Sequence, residues 1–248
     1  MIVGITETYD PCFVTDFESM LTQPVNIVIT KELSDELIDI CIRNKEKVIL
    51  HHTVTGYSGT PVEPNVKSIE HEFSQFKKLI SLGFSNYVLR VDPIIPYNSD
   101  LLMKSFAVLD MWHDYMKENF PKLKLRTRIS IIDTYPHVIK RFAEIGIKAW
   151  NRFKAPLDVF AKVDELLVPY TDALLFETCA ESDFTRDFIE IRGCASDRDL
   201  TFLGYTNEDA EQPDKKQRST CNCIAKKQIL KVKPCRCPHQ CVYCYWKT

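Results

Sequence analysis

The sequence has no apolar run near the roughly 18 residues that a membrane-spanning helix needs. Its opening, MIVGITETYD, lacks a basic stretch followed by an apolar one, so no secretory leader is expected. Internal repeats and low-complexity tracts are missing too. Strong net charge is also missing: 32 Lys and Arg stand against 34 Asp and Glu, a balance of −2. The molecule as a whole therefore has no electrostatic preference for polyanions or anionic membranes. These absences predict a cytoplasmic protein in a reducing compartment, without a membrane partner.

The 248 residues contain 45% hydrophobic and 27% charged side chains, an ordinary globular composition. That length suits one α/β barrel or two small domains and buries a sizeable core without disulfide staples. Ten cysteines in such a chain call for another explanation. Six of them, Cys221, Cys223, Cys235, Cys237, Cys241 and Cys244, fall in the last 28 residues. Core usage would scatter them, so the clustering points to metal. Cys12, Cys41 and Cys179 read as ordinary buried thiols.

Short β-rich runs alternate with longer amphipathic stretches. Strands are predicted at Ile2–Thr6, Val25–Thr30, Val48–Thr53, Tyr87–Val91, Leu125–Ile132 and Ala173–Phe176. Helices are predicted at Lys31–Lys45, Val66–Leu82, Asp100–Asn119, Pro136–Gly146 and Ala155–Val168. Ile69, Phe73, Phe76, Leu79 and Ile80 recur at the spacing of one helical face. Strands separated by helices argue for βα repeats and a parallel sheet, a complete or partial TIM-like barrel. Residues 1–207 form its body. The polar run Glu208–Gln217 reads as a linker or surface loop, and residues 208–248 as a basic, cysteine-rich segment packing on the same body. Residues 211–248 carry nine basic side chains against two acids, a net +7, which leaves −9 for residues 1–210.

Polar residues recur at strand ends: Glu7 and Thr8, His51 and His52, Arg90 and Asp92, Arg126 and Arg128, Glu177 and Glu181. Strand C-terminal ends build the sites of parallel α/β folds, so Arg90, Asp92 and Glu177 are the candidate catalytic residues. Each taken singly reads more readily as a solvated or loop-pinning group, and it is their recurrence at strand after strand that favours a site; Arg90 with Asp92 reads equally as an ion pair that braces the barrel mouth.

The last segment holds Cys237, Cys241 and Cys244 in C-x3-C-x2-C spacing. Soft thiolates suit an iron–sulfur cluster or zinc. In the zinc reading, Cys221 and Cys223 join Cys235 or Cys237 in a four-thiolate site. Cys194, Cys221, Cys223 and Cys235 are also candidates for a second centre.

The spacing, with Tyr243 before the third cysteine, resembles the radical S-adenosylmethionine (SAM) signature. The string KPCRCPHQCVYCYW is similar to the cluster loop of spore-photolyase-like DNA repair lyases. This resemblance implies a [4Fe–4S] cluster on Cys237, Cys241 and Cys244 whose open iron chelates SAM. It also implies reductive cleavage to a 5′-deoxyadenosyl radical, Tyr243 against the adenine, and a flavodoxin- or ferredoxin-like reductant. More of the chain resembles a bacterial family designated domain of unknown function 1848. The resembling runs are His52–Tyr57, Glu63–Val66, Leu89–Ile95, Glu177–Glu181, Gly193–Cys194, Cys221/Cys223 and Cys237–Tyr245. In ordinary radical SAM enzymes the cluster loop follows the first strand, whereas here it ends the chain. A circular shift reconciles the two if Gln228–Lys233 lies beside Ile2–Thr6. Glu7 would then take the place of the glutamate that holds the SAM amino group.

Three functions compete. The first is a radical SAM enzyme acting on an unknown substrate, with nucleic acid favoured by the basic tail. The second is a non-catalytic zinc or iron–sulfur module that contacts nucleic acid or a protein. The third is a body that uses its cysteines only to staple its own tail.

Overall fold

Runs of β-branched and aliphatic residues form the strands, where stiff, branched side chains pack well. In the computed structural model these are β1 (Val3–Ile5), β2 (Val25–Thr30), β3 (Val48–Thr53), β4 (Tyr87–Ile94), β5 (Leu125–Ile131), β6 (Leu174–Thr178), β7 (Ile189–Ile191) and β8 (Lys227–Ile229). The helices are α1 (Asp35–Arg43), α2 (Ile69–Ser81), α3 (Ser99–Asn119), α4 (Pro136–Glu144), α5 (Leu157–Leu167) and α6 (Asp197–Phe202). The structure describes residues 1–213, 221–230 and 237–245. Side-chain caps start several helices: Ser34 accepts from Leu37 N, Ser68 from His71 N and Asn98 from Leu101 N.

The strands make one eight-stranded sheet flanked by helices, in the order β7-β6-β5-β4-β3-β2-β1-β8. All its pairings are parallel. The last described strand does lie beside the first, with Gln228 opposite Gly4. The expected α/β architecture with a parallel sheet is met, and among the described residues β7 and β8 are edges with no ladder between them. The segments flanking the two edges nevertheless touch. Ile224 N, just before β8, donates to Ala195 O, just after β7, at 3.0 Å.

Successive side chains on a strand face opposite ways, and the two faces of this sheet differ in character. Val48, Leu50, Leu89, Val91, Ile129 and Phe176 join a large apolar core that also contains Leu37, Phe76, Leu109, Trp112 and Phe160 from the helices. On the opposite face Val3, Ile5, Val25, Ile27, Ile49 and Val88 form a second apolar cluster with Leu200 of α6. Toward β5 and β6 that face turns charged. Arg126 holds Glu177 bidentately, with both nitrogen–oxygen distances 2.9 Å, and Arg128 reaches the same carboxylate at 3.0 Å. Asp199 of α6 caps its own helix through Oδ2 and binds Arg126 at 2.8 Å through Oδ1. Arg126, Arg128, Glu177 and Asp199 are all buried.

No helix among the described residues is long and apolar enough to cross a membrane.

Candidate metal centre

β1 feeds a short loop whose Asp10 begins a 3₁₀ turn, Pro11–Phe13, with proline at its first position. Asp10 Oδ1 accepts from Cys12 N at 3.2 Å and from the Thr30 hydroxyl at 2.6 Å. Its Oδ2 accepts from Lys31 N at 2.7 Å and lies 3.0 Å from His239 Nε2. The carboxylate is thus pinned at the C-terminal end of β2 with little rotational freedom. Burial works against its charge, but His239, Thr30 and Lys31 outweigh burial and hold its pKa below the usual carboxylate value.

His239 arrives from the other end of the chain, in the turn between Cys237 and Cys241. Gln240 takes a left-handed φ of 54° there, and its side-chain amide donates to Cys237 O at 2.5 Å, closing the turn. The loop is tied down on several sides. Asn65 Nδ2 donates to Pro238 O at 2.8 Å, and Val242 N to Val62 O at 2.9 Å. Arg141 Nη1 donates to the carbonyls of Val242 and Cys244 at 3.0 and 2.9 Å. The Phe13 ring lies edge-on to the His239 imidazole, centroids 4.9 Å apart.

One nitrogen of His239, one oxygen of Asp10 and the sulfur of Cys12 all lie within 4.8 Å of one another. His239 is 1% exposed, and its Nδ1 is buried with no hydrogen-bond partner among the described residues. An orphaned buried nitrogen costs stability unless something binds it. Mixed nitrogen, oxygen and sulfur donors match borderline-soft zinc. Burial, with Asp10 and Glu32 nearby, pushes the Cys12 thiol above its ordinary value, so a metal must displace a bound proton there.

This grouping corrects the iron–sulfur expectation. Among the described residues, the set whose donor atoms converge is Asp10, Cys12 and His239, not the three cysteines Cys237, Cys241 and Cys244. One sulfur in a three-donor set with a carboxylate and an imidazole does not fit a [4Fe–4S] cluster, which thiolates hold. With the cluster go bound SAM, its reductive cleavage and the radical enzyme built on them. Cys241 is buried, which pushes its thiol up to about 12, with Lys31 pulling the other way. Cys237 and Cys244 are half-buried.

The remaining expected residues are engaged as follows. Glu7 pairs with Lys227 Nζ at 2.6 Å, and the Tyr243 hydroxyl donates to Glu63, which also holds Lys31 at 2.8 Å. Arg90 forms an ion pair with Asp92, whose other oxygen accepts from Ser130. Glu177 sits at the hub of Arg126, Arg128 and Arg198. Neighbouring histidines on β3 separate by strand alternation. His52 contacts Glu72 at 2.8 Å and Tyr87 at 2.9 Å on the helix side. His51 lies 3.6 Å from Asp199 on the opposite side. Glu181 accepts from Ile131 N and the Thr178 hydroxyl. Cys235 and most basic residues of the tail lie outside the described residues. Two tail lysines are described, and both face acids: Lys227 on Glu7, and Lys226 on Glu211 at 3.9 Å.

Sequence reading missed Asp10, Cys12 and His239 as a set. The usable signal was the histidine inside Cys237-Pro-His239-Gln-Cys241, together with an Asp-Pro turn directly after a strand.

At the strand ends of this parallel α/β sheet a buried imidazole, a buried carboxylate and a half-buried thiol make a mixed donor set that could hold a metal ion. The chain belongs to the family described as Domain of unknown function (DUF1848), which matches residues 9–246. No curated protein and no solved structure matches it.

Proposed function

We propose that the chain is a non-catalytic zinc-binding module in which Asp10, Cys12 and His239 hold the ion. One observation carries the reading: three donors of zinc type, two of them buried, converge and join the loop after β1 to the 237–245 loop. Bound zinc would supply a cross-link between these segments, fastening the 237–245 loop over the ends of β1 and β2. The three residues leave one coordination position for water or a donor from a partner.

The surroundings favour binding over turnover. The cleft beside the site is lined by Lys31, Thr53, Gly56, Ser58, Glu63 and Glu72 among others and includes none of the three donors. The net +7 of residues 211–248 favours a nucleic-acid partner, engaged through phosphates. The contact of Ile224 with Ala195 supports reading the sheet as a partly open barrel whose lips are β7 and β8.

The test is binding of zinc to protein stripped of metal, followed by anisotropy titration of a labelled single-stranded oligonucleotide with and without zinc. Zinc binding that depends on His239, and oligonucleotide affinity that needs zinc and falls steeply with salt, support the proposal. A protein that takes up no zinc at this site contradicts it.

A further inference from the structure

Two pairs of sulfurs lie near each other on the other side of the sheet. Cys179 follows β6, Cys194 follows β7, and Cys221 and Cys223 precede β8. Cys179 Sγ lies 3.5 Å from Cys194 Sγ, and Cys221 Sγ lies 3.1 Å from Cys223 Sγ. The two pairs are neighbours: Cys179 lies next to Cys221, and Cys194 next to Cys223. All four are free thiols, with separations well beyond the roughly 2.05 Å of a disulfide.

The backbone is shaped to bring them together. A Cβ on Gly193 would lie 2.4 Å from Asn222 O and 2.5 Å from Cys223 Cα, closer than real side chains come. Glycine at 193 is what lets the Cys221–Cys223 segment lie directly on the Cys194 loop, and the Ile224–Ala195 hydrogen bond ties the two together. Four sulfurs at the corners of a zinc tetrahedron would stand about 3.8 Å apart, given Zn–S bonds of about 2.3 Å. The two close pairs are tighter than that, while no three of the four sulfurs lie within 4.8 Å of one another, so a bound ion would spread each pair and draw the two pairs together.

Charge is arranged to match. Zinc with four thiolates carries a net charge of −2. Arg128 and Arg90 act electrostatically on Cys194, and Lys227 on Cys194 and Cys223. Arg128 is 2% exposed, and its Nε and Nη1 have no hydrogen-bond partner among the described residues. The same holds for Arg90 Nε. Cationic donors left over in a buried place are stabilised by a nearby anionic centre.

We propose that Cys179, Cys194, Cys221 and Cys223 form a four-thiolate centre for a single zinc ion, separate from the Asp10–Cys12–His239 site. It replaces the second centre expected from sequence, with Cys179 in the place given to Cys235. Such an ion would clasp the two edges of the sheet, joining the segment after β7 to the one before β8.

The full chain, purified without oxygen and loaded with zinc, is examined by X-ray absorption at the zinc edge. The Asp10→Asn/His239→Asn variant isolates this centre, so failure of the first site and failure of this one read differently. The proposal predicts one zinc per chain in that variant, with a shell of four sulfurs at about 2.3 Å. Cys194→Ser/Cys223→Ser should lose that zinc. Should that variant fail to fold, wild-type protein still answers. Alkylation mapped by mass spectrometry should show Cys179, Cys194, Cys221 and Cys223 protected by zinc and exposed by chelator. A shell of oxygen and nitrogen, iron with acid-labile sulfide, a Cys221–Cys223 disulfide in oxygen-free protein, or unprotected cysteines would each overturn it.

Discussion

His239 Nε2 stands 3.0 Å from Asp10 Oδ2, across 229 positions of sequence. The contact joins the loop after the first strand to the last described loop, and it orients an imidazole whose Nδ1 has no hydrogen-bond partner among the described residues. Carboxylates that hold a zinc-binding histidine or the ion itself matter for affinity. Asp10→Asn keeps the shape but removes the charge. It should weaken zinc binding by about 10- to 100-fold or more, as read by competition with a chromogenic chelator. An unchanged affinity would assign Asp10 to turn formation alone.

Gly193→Ala tests the close approach on which the grouping of the sulfurs depends. The new methyl would press on Asn222 and Cys223 backbone atoms, and overpacking of that kind costs about 1–3 kcal/mol. The midpoint of urea unfolding should fall accordingly, and zinc should be lost from the four-cysteine site before the Asp10 site.

Glu177→Gln leaves Arg126, Arg128 and Arg198 without their shared carboxylate. Arg126 and Arg128 are buried and charged, and breaking a buried pair from one side costs about 3–5 kcal/mol. Chemical denaturation should report a loss of that order. A change under about 1 kcal/mol would mean that water reaches these guanidinium groups.

Acid should destabilise the fold in a defined window. Burial lowers His51 to about 4, against the pull of Asp199, with Arg128 and Arg90 also disfavouring its protonation. Unfolded histidine titrates near about 6.5. The unfolded chain therefore binds a proton that the folded chain refuses between those two values, and stability falls as pH drops from about 6.5 to 4. Asp199 is held below its ordinary value by His51, Arg126 and Arg128 despite burial. Its contribution is present above the unfolded carboxylate value and is lost as pH falls further. His51→Asn should flatten the upper part of the window in thermal melts run across pH.

Much of the sheet was legible in the sequence because strand runs are dense in β-branched residues. Val25–Thr30 and Val48–Thr53 are found with the bounds expected, and Leu125–Ile131 is shorter by one residue. β4 runs on to Ile94, past the expected end at Val91, since Pro93 sits where its missing N–H does not end the strand. β7 and α6 were missed, being three and six residues long and rich in charge, too short for a period to show. The cysteine spacing near the C-terminus was legible as a metal signal, but it pointed to local ligands. The observed donors are distant in sequence and meet only through the parallel arrangement of β1, β2 and the returning loop. Cys12 and Cys179 looked like isolated core thiols for the same reason.

Metal content of protein purified without oxygen, with and without Cys12→Ser/His239→Asn, tests the central claim most directly. The account predicts zinc in the wild type and one equivalent less in the variant. About four irons with four sulfides per chain, or zinc that is indifferent to both substitutions, would contradict it.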